Sequence, residues 1–381
     1  MKGKVYGLFL VGMFLCCSLV HEVRAQGFVK RYISGILNDT SDISRPQFLM
    51  YPTLAYAPET SWEIGFSTLY VYYAERDTTN RLSEINGFTF FTLENQYGLW
   101  FDHAAYSPGN EWFFLGRLRI QSFPLLYHGI GKDTPQEYIA RVDANQFWIK
   151  ERVLRQIKNN LFFGLEMDLQ RLSQVSFVPS RENQPIELPL GYEGSTNLGF
   201  GLGLVYDNRH NVLNVRKGLF SELAVFRYNP FWQSNYHFTS VITDSRIFTP
   251  LGNNTVFAAQ ILGHFNRGQV PFNQLSLMGG ESLMRGYYTG RYRDKNQLSA
   301  QAEIRFLPFQ LGFTDRIGGA IFAGTGQVFP DLKGFSLNKF VWSAGGGLRF
   351  LLFPKKDIYT RLDLAFTQEG TGIYFFIGEA F

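Results

Sequence analysis

Apolar and polar residues alternate with a period of two along almost the whole chain, and that alternation leaves few folds open. Within 62–72, Trp62, Ile64, Phe66, Tyr70 and Tyr72 share one face while Glu63, Gly65 and Ser67 share the other. Trp112, Phe114, Leu118 and Ile120 oppose Arg117, Arg119 and Gln121. Leu198, Phe200, Leu202 and Leu204 alternate with Gly199, Gly201 and Gly203. Leu298, Ala300, Ala302 and Ile304 alternate with Ser299, Gln301, Glu303 and Arg305, and Leu362, Leu364 and Phe366 are set against Tyr359, Arg361 and Asp363. Each run is about ten residues, the length a tilted strand needs to cross a bilayer. No run carries a 3.6-residue apolar stripe.

Roughly sixteen such segments recur, near 50–56, 62–73, 84–92, 96–105, 110–121, 141–154, 160–170, 196–207, 218–228, 237–248, 254–265, 298–306, 317–327, 341–352, 358–367 and 372–381. The segment at 141–154 is the weakest, with charge on both faces. The longest gaps, 122–140, 171–195 and 266–297, all join an odd segment to an even one. Short turns on one side and long loops on the other are the habit of outer-membrane barrels, with both termini periplasmic. Composition agrees. Aromatics reach 17% and glycines number 38, yet mean hydropathy is only -0.10, which suits an apolar outside around a polar lumen. The expected fold is therefore all-β, a transmembrane antiparallel barrel of about sixteen strands, rather than a soluble sandwich or propeller.

The first residues read as an export signal. Lys2 and Lys4 precede an apolar stretch from Val5 to Val20, and Val23-Arg24-Ala25 places cleavage before Gln26. Mass spectrometry of the purified protein checks this: a mass beginning at Gln26 is expected, and an intact Met1 would refute it. Both cysteines, Cys16 and Cys17, fall in that signal, so disulfides and thiol chemistry are excluded from the mature chain. The expected organisation is 1–25 signal peptide, 26–49 short periplasmic segment and 50–381 barrel.

Three stretches carry a family resemblance. Gly279-Gly280-Glu281-Ser282-Leu283-Met284-Arg285-Gly286-Tyr287, in the gap before the twelfth segment, closely resembles the loop motif of the BamA/TamA family of bacterial surface antigens. Met284 stands where that family has a branched residue. Tyr206-Asp207-Asn208-Arg209-His210-Asn211, followed by Arg216-Lys217-Gly218, is similar to a family turn, with Val215 where proline is common. Ile373 to Phe381 looks like the carboxy-terminal insertion signal read by barrel-assembly machinery, with Glu379 where an apolar residue is preferred.

The resemblance implies a location in the outer membrane of a Gram-negative bacterium. It also implies that the loop between strands 11 and 12 folds inward, that Arg285 meets acidic residues on the lumen wall, and that Gly286 and Tyr287 complete the motif. Glu303 matches the family's acidic position. A second family acid belongs to a Phe-x-Asp motif that here reads Phe322-Ala323-Gly324, and Asp363, inward by alternation, is the candidate replacement. Between Gln26 and Met50 there is too little chain for the POTRA domains of BamA-like insertases.

No constellation of catalytic residues emerges. The six histidines are isolated, His103 lacks a serine partner of the barrel-phospholipase kind, and neither a phosphate loop nor a calcium loop fits. Gly345-Gly346-Gly347 reads as small residues on a strand, since no helix follows. A net charge of +4, with Lys and Arg scattered among acids, gives no nucleic-acid patch. The expected protein is not an enzyme and holds no cofactor or metal. By resemblance it works in outer-membrane protein or lipid assembly, opening laterally between its first and last strands. Its expected partners are outer-membrane lipid, barrel-assembly machinery during insertion, and client proteins or accessory subunits. The alternative is a pore, transporter or structural surface barrel whose long loop serves as a plug.

Overall fold

The period-two pattern becomes strand wherever the apolar face has lipid to meet and the polar face a lumen. The computed structural model describes residues 44–381, apart from 58–60, 123, 183–184, 210–213, 310–311, 313 and 355–356. The expected signal peptide and most of the expected periplasmic segment lie outside the described residues. In chain order the long strands are β1 Gln47–Ala57, β2 Ser61–Tyr73, β3 Leu82–Thr92, β4 Tyr97–Tyr106, β5 Trp112–Ser122, β6 Ala140–Lys158, β7 Leu161–Pro179 and β8 Ser195–Asp207. The second half holds β9 Gly218–Tyr228, β10 Phe238–Pro250, β11 Thr255–Gly268, β12 Asn296–Phe306, β13 Ile317–Phe329, β14 Val341–Phe353, β15 Ile358–Thr367 and β16 Gly370–Ile377. Neighbours pair antiparallel, and β16 returns to β1, closing the sheet. The expected sixteen-strand barrel is what forms. The seventeenth strand of the sheet, Leu125–Tyr127, is a short extension beside β6.

Alternation decides which side chains face out. Ile64, Leu202, Leu348 and Leu364 are exposed on the lipid side, while Gln301, Glu303, Arg349 and Asp363 are buried on the other. The doubtful segment at 141–154 turns out to be part of β6, one of two strands 19 residues long. Its charges confuse the pattern because they are partnered across the wall. Arg152 bridges Glu166 on β7, at 3.5 Å, and Glu222 on β9.

The longest connections, 123–139, 180–194 and 269–295, all leave the outer end of the barrel. The last of these forms a hairpin, Ser276–Met278 against Tyr292–Asp294, which periodicity alone does not reveal. Met278, Met284, Tyr287 and Tyr292 from this connection cluster with Val328 and Val341, which face inward from β13 and β14. One expected boundary is corrected. The final strand stops at Ile377 rather than running to Phe381, because Gly378, at φ +94°, turns the tail away.

Candidate functional site

Three strands and one loop meet at Arg285. Its Nη2 donates to Glu303 on β12 at 2.6 Å, and its Nη1 donates to Asp363 on β15 at 2.6 Å. The Arg285 side chain is 1% exposed and both carboxylates are fully buried. A guanidinium withdrawn this far from water needs such partners, since an unpaired buried charge is costly. The flat face of the group is also used. Its central carbon lies 3.4 Å from the centre of the Phe322 ring on β13, a cation–π stack.

The backbone around Arg285 is fixed as tightly. Gly286, at φ +103°, donates its N–H to Tyr374 Oη on β16 at 2.9 Å, and Ser343 on β14 donates to the Arg285 carbonyl. Tyr287 is 1% exposed, its ring centre 5.4 Å from that of Tyr292, and burial pushes its phenol pKa up. A little further along the loop, burial holds the Arg293 guanidinium down to about 10.

The two departures from the family motif fit one another. Gly324 stands where the missing aspartate would be, and a Cβ there would come within 3.2 Å of Met284 Sδ. The space that a side chain would take at Gly324 thus holds the unbranched methionine. Asp363 reaches Arg285 from two strands further on.

Sequence reasoning missed the rest of the cluster. Arg349 on β14 contacts Asp363 at 2.5 Å, Glu303 at 3.0 Å and Glu379 at 3.0 Å. Arg305 contacts Glu303 at 3.2 Å, and Arg361 contacts Asp363 at 2.9 Å. The signal was present, because Arg305, Arg349 and Arg361 are all inward by alternation. Glu379 was visible only as a departure from the terminal signal, and its partners Arg349 and Arg305 give that departure a physical reason. Phe381 is not on the lipid face. Its ring centre lies 6.3 Å from that of Phe248, and its main-chain oxygen accepts from Arg305.

Such a cluster can hold a loop against a wall by charge and stacking. Among the described residues no group of His, Cys, Asp and Glu could hold a metal ion.

A closed sixteen-stranded sheet with an apolar outer face and a charged interior defines an outer-membrane β-barrel. The chain matches the Omp85 superfamily domain over residues 94–381 and belongs to that superfamily. In fold it is similar to BamA from Haemophilus ducreyi lacking POTRA domains 1–3, at a TM-score of 0.56 and 13% identity, over 87% of this chain and 70% of that one. It is similar also to CdiB from Acinetobacter baumannii, at a TM-score of 0.57 and 10% identity, over 88% of this chain and 59% of that one. CdiB from Escherichia coli gives a TM-score of 0.57 at 9% identity, over 91% of this chain and 69% of that one. A comparison with curated proteins finds no match. The family expectation drawn from the sequence is borne out, and with it the outer-membrane location.

Proposed function

We propose that this barrel serves outer-membrane assembly or translocation without catalysing a reaction. Arg285 keeps the loop 269–295 docked, and the wall opens sideways between β1 and β16 to lipid and to a client protein. In this reading residues 1–25 are the export signal and 26–49 a short periplasmic segment. Barrel-assembly machinery inserts the chain, and accessory subunits meet it from the periplasm.

The β1–β16 junction carries the proposal. Among the described residues its register holds one matched pair, Tyr56 opposite Phe375. By contrast, β1 and β2 pair from Gln47↔Val71 to Ala57↔Ser61, and β15 and β16 from Thr360↔Ile377 to Thr367↔Gly370. Pro52 lies inside β1, and a proline has no N–H for a ladder, so it is tolerated mainly at sheet edges. A row of unpaired backbone groups is a natural template for another strand. The docking of Met284 and Tyr287 against the inner wall speaks against a permanently open pore.

Tyr56 and Phe375 face each other across the junction, so cysteines there are within disulfide reach. In cells relying on a Tyr56→Cys, Phe375→Cys variant, oxidation should reproduce the outer-membrane defect of cells lacking the protein, and reductant should reverse it. A cross-linked protein that supports a normal outer membrane would contradict lateral opening.

A further inference from the structure

A barrel with a polar lumen should keep polar side chains on its inward positions throughout. This one does so at mid-height. There the inner wall carries Lys150, Arg152, Glu166 and the Arg285 cluster. At the periplasmic ends of the strands rings and aliphatic side chains pack among charged ones: buried Asp207 pairs with Arg81 and Arg209, Arg246 lies opposite Phe220, and Arg305 lies opposite Val256. Tyr106, Phe113, Phe162 and Phe220 pack together on β4, β5, β7 and β9, with the first two rings stacked at 4.3 Å. Leu49, Val71 and Phe353 form a second group on β1, β2 and β14. Phe248 and Val256 form a third, joined by Val215 from the β8–β9 turn and by Phe381 from the tail.

Arginines from the turns tie these groups across the mouth. Arg216, in the β8–β9 turn, grips Asp357, in the β14–β15 turn, through Nε and Nη2, both at 2.7 Å. Its Nη1 donates to the Leu307 carbonyl, just past β12, at 3.0 Å. β9 and β14 are far from neighbours in the wall, so this pair spans the opening. Arg81, in the β2–β3 turn, donates to Asn160 in the β6–β7 turn at 2.9 Å, with its guanidinium 5.3 Å from the Tyr106 ring centre.

We propose that the periplasmic mouth is a gate: a layer of packed rings and ion pairs, strapped across the opening by Arg216–Asp357 and Arg81, which admits water and solutes from the periplasm when the straps release. The two-pronged Arg216–Asp357 contact gives it a defined closed geometry. The pair is also reachable from water, with side chains 26% and 25% exposed, so a periplasmic segment can compete for it. This inference goes beyond the lateral-opening reading, since the gate lies at the mouth and the junction in the wall.

The test is thiol labelling of an Arg117→Cys variant. Arg117 faces the lumen above this layer, its side chain 47% exposed, and Cys16 and Cys17 are the only other thiols in the chain. A charged maleimide should label Cys at 117 slowly in the otherwise unaltered barrel in nanodiscs, with the labelled peptide identified by mass. Adding Arg216→Ala should accelerate labelling by up to about fivefold, as expected for losing a partly exposed ion pair. Asp357→Asn should match it, and exchanging the charges, Arg216→Asp with Asp357→Arg, should restore slow labelling. Fast labelling with both native residues present, no acceleration, acceleration by one variant only, or no restoration would each overturn the gate. Locking the β1–β16 junction should leave these rates unchanged, so the two readings fail separately.

Discussion

Glu303→Ala is expected to destabilise the barrel by about 3–5 kcal/mol, whereas Arg285→Ala should cost only about 1–3 kcal/mol. The asymmetry follows from the census of the cluster. Arg285, Arg305, Arg349 and Arg361 face Glu303, Asp363 and Glu379. Without Arg285, three cations and three anions remain, and Glu303 keeps Arg305 and Arg349. Without Glu303, four buried guanidiniums share two carboxylates. A second substitution should therefore rescue the first: Arg305→Leu added to Glu303→Ala should recover part of the loss, because the pair is strongly coupled. The unfolding midpoint, read from the heat-dependent gel shift of the barrel, measures all three. Equal losses for Arg285→Ala and Glu303→Ala, or further loss in the double variant, would show that the net charge of the cluster is not what matters.

Gly286→Ala should release the loop without weakening the strands. At φ +103° a side chain is strained, and the new Cβ would lie 2.5 Å from Thr367 Cγ2. The opposing surface is glycine too, since a Cβ on Gly372 would come within 3.0 Å of Gly286 Cα. The two backbones approach closely because neither residue has a side chain. Strain of about 1–3 kcal/mol falls on docking alone. Trypsin should then cut after Arg291 or Arg293, both buried against the wall in this structure, while the unfolding midpoint stays near its original value. A loop that resists trypsin in Gly286→Ala would contradict the close approach.

How much of this was legible in the sequence depends on how local the cause is. The strands were, because lipid and lumen impose their preferences residue by residue, and even Asp363 could be placed on the inner face by counting. The length of β6 was not, since Arg152 is partnered one and three strands away and reads as misplaced charge along its own strand. The tail misleads in the opposite way. Glu379 looks like a flaw in a terminal signal until Arg349 appears beside it, and that contact crosses 30 residues of chain. The aromatic cluster at the periplasmic mouth escaped for a related reason. Phe113 and Phe162 each look like ordinary strand-end aromatics, and only closure of the barrel shows them facing inward together.

Hydrogen exchange of the amides between Gly279 and Arg291, in outer-membrane vesicles, tests the docked loop most directly. Gly280 N–H bonds to the Tyr287 carbonyl at 3.0 Å, Gly286 N–H to Tyr374 Oη at 2.9 Å, and Arg291 N–H to the Tyr288 carbonyl at 2.8 Å. These amides should exchange as slowly as strand amides, and Gly286→Ala should speed all of them. Exchange at the rate of a solvated surface loop in the unaltered protein would contradict a loop held against the lumen wall by Arg285.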